Sequence, residues 1–284
     1  MPYMPPNCST LDSTIYKKRP QIRLGIQGFF GEGKTHAALT FPNPIVANFD
    51  RGLGAHYGRK DIIDVPFYSD VFVNNIVKPT IVAGLPIPNR RDALRKWLLT
   101  EGVKLEHDQT LVIDAGTGVE AAFHRQEAME PILTKSGEVD TFAAWRHKID
   151  YFDEITDILI SLNCDVVWIA HEQDERDKKG AYTGKIRPLM TGQFADKLGS
   201  KFTDWFRQLA KDKKEPDDAS LKNWGMTRAQ YSAMCNTYPR NTIYFWQTDS
   251  DDIVSCKASS IVNFPKFIPA TYEAFSQYFR KQTT

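Results

Sequence analysis

The stretch that most constrains this chain is Gly28-Phe29-Phe30-Gly31-Glu32-Gly33-Lys34-Thr35, which fits G-x-x-x-x-G-K-[ST]. It lies between a short apolar run, Ile22 to Gln27, and a segment with helical character from about Lys34 to Thr40. A strand that ends in a glycine-rich turn and opens into a helix points successive backbone N–H groups at phosphate oxygens. Lys34 adds a compact positive charge for the β- and γ-phosphates, and the Thr35 hydroxyl suits Mg²⁺. The expected nucleotide cradle therefore comprises Gly28, Phe29, Phe30, Gly31, Glu32, Gly33, Lys34, Thr35 and His36.

The rest of the pattern supplies a sheet to carry that loop. Ile45 to Phe49, Ile62 to Phe67, Thr110 to Ile113 and Asp165 to Ala170 read as short buried strands. Phe41-Pro42-Asn43-Pro44 stops the first helix. Arg90 to Thr100 and Asp140 to Leu162 read as further helices. In the second, Trp145, Ile149, Phe152, Ile155, Leu159 and Leu162 form one apolar stripe. Strands alternating with helices predict a mostly parallel central sheet covered on both faces, an α/β fold. After Thr203 the pattern changes: Phe202 to Leu209, Thr242 to Thr248 and Ile253 to Lys257 read as strands without long helices between them, predicting antiparallel additions on the C-terminal side.

Residues 1–20 are rich in Pro, Ser and Thr and read as a loosely ordered lead-in, with one α/β domain over 21–284. Residues 211–240, opening with KDKKEPDDAS, read as a polar insertion with a short helix around Thr227 to Met234. Its Lys211, Lys213 and Lys214 are offset by Glu215, Asp217 and Asp218, so a solvated loop is expected there. The formal net charge of the 284 residues is +1, so any polyanion must be met by a local cluster. Four cysteines without metal-ligand spacing predict reduced thiols, and no apolar run reaches membrane-spanning length; the expected location is the cytoplasm of a cell, or of a host cell.

Three further residues complete a candidate site. Leu111-Val112-Ile113-Asp114 places a carboxylate at a strand tip, where Asp114 can hold Mg²⁺ together with Thr35. Asp50 follows the strand behind the loop's helix. If that strand lies beside the loop strand, its carboxylate faces the γ-phosphate as hydrolytic base, with Glu120 as the rival. His171, ending the strand Asp165 to Ala170, is placed to sense the γ-phosphate.

This order of parts resembles the ATPase core of the RecA family, most of all the phage-encoded RecA-like proteins of single-strand annealing and replication, over roughly residues 20 to 275. Gly28 to Thr35 is similar to the Walker A loop and Leu111 to Asp114 to the Walker B strand. Asp50 and His171 stand where the family carries its catalytic acid, usually Glu, and its γ-phosphate sensor, often Gln. Ile186 to Gly192 followed by Phe202 to Trp205 resembles the family's return to the sheet. Asp50 is followed by Arg, unlike a recombinase, and the insertion has no counterpart in the family.

The resemblance implies ATP with Mg²⁺, a homo-oligomer (ring or filament), and single-stranded DNA held by two loops, here Pro131 to Phe142 and Gln173 to Gly192. The first offers Lys135; the second offers Arg176, Lys178, Lys179, Lys185 and Arg187 with Tyr182 interleaved. It also implies a cation reaching a neighbour's nucleotide, a place matched by Lys257 at the end of a late strand. The activity so implied is DNA-stimulated ATP hydrolysis in recombination or replication. The competing expectation is a nucleotide-dependent loader or scaffold that hydrolyses slowly and docks a replication or recombination protein.

Overall fold

Runs of apolar residues bounded by Gly, Pro and Asn give the chain a sheet buried on both faces. The computed structural model describes residues 21–280 except 51, 68–70, 74–75, 79–80, 83–84, 87–89, 178, 191–192, 215, 225, 239–240 and 261–263; the lead-in 1–20 thus lies outside the described residues. The strands of the main sheet are β1 Arg23–Gly28, β2 Pro44–Asn48, β3 Ile63–Pro66, β4 Thr110–Asp114, β5 Asp165–Arg176, β6 Tyr182–Pro188, β7 Asp204–Asp212, β8 Thr242–Gln247, β9 Lys257–Ala258 and β10 Phe267–Pro269. Their spatial order is β10-β8-β7-β1-β5-β4-β2-β3, with β6 on β5 and β9 on β7. From β7 through β1, β5, β4 and β2 to β3 every pairing is parallel. The pairings of β8, β9, β10 and β6 are antiparallel. This is the mostly parallel α/β sheet, with antiparallel strands on its C-terminal side, that the sequence predicts.

Eight helices flank it among the described residues: α1 Lys34–Ala38, α2 Arg90–Thr100, α3 Gly116–Met129, α4 Thr141–Ser161, α5 Gln193–Lys201, α6 Asp218–Asn223, α7 Arg228–Thr237 and α8 Tyr272–Arg280. On one face Phe123, Phe152, Leu159 and Phe194 pack against Trp168 and Trp205. On the other, Ala37, Ala38 and Phe275 pack against Ile26, Ile169 and Phe206. All residues of β1, β2 and β4 are buried, which is why their sequences show no alternation. Asp140 caps α4 by accepting the Ala143 N–H at 2.9 Å, fixing where that helix begins.

Four expectations are corrected. β5 does not end at Ala170 but runs on to Arg176 and pairs with β6 up to Pro188, so within the segment read either as a DNA loop or as a solvated polar hairpin the described residues form the hairpin. Toward its tip that hairpin is mostly polar, with only Ala181 and Tyr182 among the charged residues and glycines, so no apolar period announces it. Trp145 is 41% exposed rather than part of the buried stripe of α4, which starts one turn later. Ile253 to Lys257 is not a strand: Val254 makes a lone bridge to Ile186, and β9 begins at Lys257.

Finally, much of the insertion is folded rather than solvated. Leu221, Tyr231, Met234 and Tyr238 pack on Ile243 and Phe245 of β8, and a Thr227–Gln230 capping box starts α7. Its Glu215 lies outside the described residues. Cys164, Cys235 and Cys256 are unpaired, and no helix among the described residues is long and apolar enough to cross a membrane.

Candidate nucleotide-binding site

β1 stops at Gly28, and the chain turns before entering α1. Gly33 has φ of 77°, and a Cβ there would stand 2.7 Å from the Tyr244 ring, so the turn admits only glycine at this point. Glu32 folds back to accept the Phe29 N–H at 2.8 Å. Lys34 Nζ donates to the carbonyls of Gly28 and Phe29 at 2.8 and 2.7 Å. Burial pushes its ammonium down to about 8, opposed by the carboxylates of Glu32, Glu172, Asp114 and Asp50. A poorly hydrated cation held at the end of a glycine turn is suited to a phosphate chain.

Opposite the lysine, Asp114, Asp50 and His171 converge. Asp114 closes β4, and Thr35 Oγ1 donates to its Oδ2 at 3.0 Å. Burial, together with the nearby charge of Asp50, raises the Asp114 carboxyl to about 6, against the Thr35 hydrogen bond. His171 lies within β5, and its Nε2 is 3.5 Å from Asp50 Oδ2. Contrary to the expectation, the strand before Asp50 does not lie beside the loop strand; β5 and β4 stand between β2 and β1. Asp50 reaches the site by the turn after β2, which presses on α3 so closely that a Cβ on Gly118 would stand 2.7 Å from its Oδ1. The rival, Glu120, is buried in α3 and ion-paired to Lys148 of α4.

Lys34, Thr35, Asp50, Asp114 and His171 line an open cleft of about 660 Å³, and Glu120 does not. Beyond the phosphate loop its wall is made of rings: His36 stacks on His56 at 5.7 Å and lies 6.2 Å from Tyr244. The hydroxyl and carboxylate of Thr35 and Asp114 fit Mg²⁺, a hard cation that takes one or two protein ligands beside phosphate oxygens and water. No cluster of three or more His, Cys, Asp or Glu among the described residues offers an all-protein metal cage.

The remaining sequence candidates lie elsewhere. Arg176, Lys179, Tyr182 and Lys185 are exposed on the β5–β6 hairpin, and the Arg176 guanidinium carbon sits 4.1 Å over the Tyr182 ring. Arg187 is half-buried near the root, Lys178 lies outside the described residues, and Lys135 is exposed in the turn before α4. Lys257, expected to reach a neighbour's nucleotide, does not line its own chain's cleft. It pairs with Trp205, which lies beside Gly25, three residues before the loop, and its Nζ donates to Phe202 O at 2.7 Å.

The sequence model of a family described as AAA domain matches residues 21–237. The chain belongs to this AAA-domain family. It is an AAA-type P-loop ATPase domain, and nucleotide binding follows from that membership. No curated protein matches the sequence. Among solved structures, the RadB recombinase is similar at 14% identity and a TM-score of 0.36, over 67% of this chain and 75% of that one. The assembled ATPase EscN of the enteropathogenic E. coli type III secretion system is similar at 12% identity and a TM-score of 0.38, over 66% of this chain and 43% of that one.

Several residues of this AAA domain's site escaped the sequence reading. His56 sits in a turn of no special composition, and Tyr244 belongs to a strand distant in sequence. Glu172 and Arg207, which meet beneath the loop, are separated by 35 positions. Only the strand order brings them together, and no motif encodes it.

Proposed function

We propose that this AAA domain is a RecA-like, phage-type ATPase that works as a homo-oligomer on single-stranded DNA in recombination or replication, in the cytoplasm. One observation carries the reading: β5 runs from the nucleotide cleft, where His171 faces Asp50, straight into a hairpin bearing exposed cations and an aromatic ring. A change at His171 is thereby transmitted along a single strand to a surface suited to a nucleic-acid backbone.

In this proposal Lys34 and the loop amides hold the phosphates, while Thr35 and Asp114 hold Mg²⁺. The metal, when bound, neutralises charge on the β- and γ-phosphate oxygens. Asp50 orients the attacking water, and His171 reports whether the γ-phosphate is present. The hairpin also carries Asp174, Glu175 and Asp177, so contact with DNA rests on the placement of its cations rather than on net charge.

Steady-state ATP hydrolysis with and without single-stranded DNA tests the proposal. Stimulation is expected that disappears in Lys34→Ala and in the paired charge reversal Lys179→Glu/Lys185→Glu, the latter keeping its basal rate. A slow rate indifferent to DNA favours instead a nucleotide-dependent loader. The α6–α7 layer packed on β8 beside the cleft would then be its docking platform for a replication or recombination protein.

A further inference from the structure

β1 ends at Gly28 between two strands that continue past it, β5 and β7. Gln27 lies in register with Arg207, and Gly28 with His171. Arg207 and Glu172 therefore flank the point where strand becomes phosphate loop. By the alternation of their strands both project to the face of Trp168, Ala170 and Trp205, opposite the face covered by α1. There they meet across the strand end: Arg207 Nε lies 3.1 Å from each oxygen of Glu172. The Glu172 side chain is fully buried and that of Arg207 nearly so.

The pair also touches the loop. The Arg207 guanidinium carbon stands 5.9 Å over the Phe29 ring. Glu32, which accepts the Phe29 N–H, is a second carboxylate in the field of Arg207. Burial pushes the Glu172 carboxyl up to about 7, opposed by Arg207. A buried ion pair contributes little net stability compared with an apolar pair of the same volume, because both charges lose their hydration. What it does supply is position: the single Nε–H of Arg207 is shared between both oxygens of Glu172 in a three-centre bond, and burial leaves neither charge free to turn to water.

We propose that Glu172 and Arg207 are positioning residues of the ATPase: they strap the end of β1 and, through Phe29 and Glu32, hold the phosphate loop where Lys34 and the loop amides meet the nucleotide. Neither touches the reacting atoms. Glu172 is also in register with Pro188 of β6, so the same strap anchors the loop to the root of the hairpin. The inference rests on the nucleotide-binding reading of the loop.

The test compares wild type with Glu172→Gln, Arg207→Met, Arg207→Lys and the double variant Glu172→Gln/Arg207→Met at about pH 8, where Glu172 is ionised. Binding of a fluorescent ATP analogue with Mg²⁺ and steady-state hydrolysis are both measured on variants that melt as cooperatively as wild type. Glu172→Gln and Arg207→Met are expected to weaken binding and raise KM about tenfold, with kcat within about twofold, the signature of lost ground-state positioning. The double variant should be no worse than the poorer single, because both act through one contact. Arg207→Lys keeps the charge and should recover to within about threefold of wild type. Should Arg207→Met fail to fold, Glu172→Gln and Arg207→Lys still decide. Unchanged affinity in the variants, or additive losses in the double, overturns the strap. A wild type that binds no nucleotide overturns the loop reading and the strap with it, an outcome distinct from normal binding in the variants.

Discussion

Lys34 is the residue on which the site turns, and its surroundings make its behaviour pH-dependent. Burial holds its ammonium at about 8, below the 10.5 of a free lysine. Between those values the unfolded chain binds more protons than the folded one, so Lys34 makes the free protein more stable as pH rises from about 8 to 10.5 and less stable again as pH falls. Nucleotide binding runs the other way, because the phosphates select the charged form. Affinity for ATP should weaken by up to about tenfold per pH unit well above 8, as Lys34 loses its proton. Calorimetric titration in two buffers of different ionisation enthalpy checks this: one proton should be taken up on binding at alkaline pH. An affinity that stays level to pH 10 contradicts it. Much of this residue's environment was legible in advance, since the G-x-x-x-x-G-K-T spacing fixes Lys34 and Thr35 by local geometry alone. Asp114 was readable because a buried strand ends on it. Asp50 was chosen on an assumed strand neighbour that the sheet does not provide, and it arrives by a turn that Gly118 leaves room for. Tyr244, Glu172 and Arg207 depend on strand order, which local sequence does not encode.

At the scale of elements, α3 and α4 are joined by a buried charge. Glu120 and Lys148 pair with both side chains almost fully shielded from water, at 8% and 6% exposure. His124 approaches the same carboxylate at 3.5 Å. Truncating one partner leaves the other charge buried without its opposite, which costs about 3–5 kcal/mol. Lys148→Ala should therefore lower stability to urea by about that amount, whereas Glu120→Gln/Lys148→Met should recover most of it. ATP turnover per folded molecule should be retained in the double variant, because Glu120 faces α4 rather than the cleft. A double variant that folds yet has lost turnover would make Glu120 the hydrolytic residue in place of Asp50. Periodicity made α4 the most readable helix, and its boundaries hold because Asp140 caps it and Leu162 leaves helical geometry. The same method failed where apolar period was missing or misleading. Trp145 fits the stripe by spacing but lies in the first turns, beyond the reach of the sheet. The outer part of the β5–β6 hairpin, beyond Glu172, is mostly polar on both sides. The insertion hides α6 within a charged run, and its apolar residues find a core only because β8 offers Ile243 and Phe245 on its free face.

At the scale of the whole molecule, the proposed homo-oligomer bears directly on the cleft. Among the described residues that line it, Lys34 is the one lysine or arginine. Charge that develops on the γ-phosphate in the transition state calls for a further cation beside the loop lysine and the metal. Arg207 is committed to Glu172 beneath the loop, and Lys257 is committed to the Phe202 carbonyl near the amino end of the sheet. On the proposed oligomeric reading a second copy of the chain is the source we expect, with Phe30 and Tyr57, 92% and 96% exposed, offering it apolar surface. Specific ATPase activity should then rise with protein concentration from the nanomolar to the micromolar range, in step with the mass measured by light scattering in the presence of ATP and Mg²⁺. Mixing separates this from simple stabilisation at high concentration. Excess Lys34→Ala protein, unable to grip nucleotide itself, should raise the activity of dilute wild type by lending its cation to wild-type sites. Activity per chain that stays constant across the range, in a protein that remains monomeric with nucleotide bound, would mean that the missing cation comes from within the chain, and that the cleft closes on itself rather than on a neighbour.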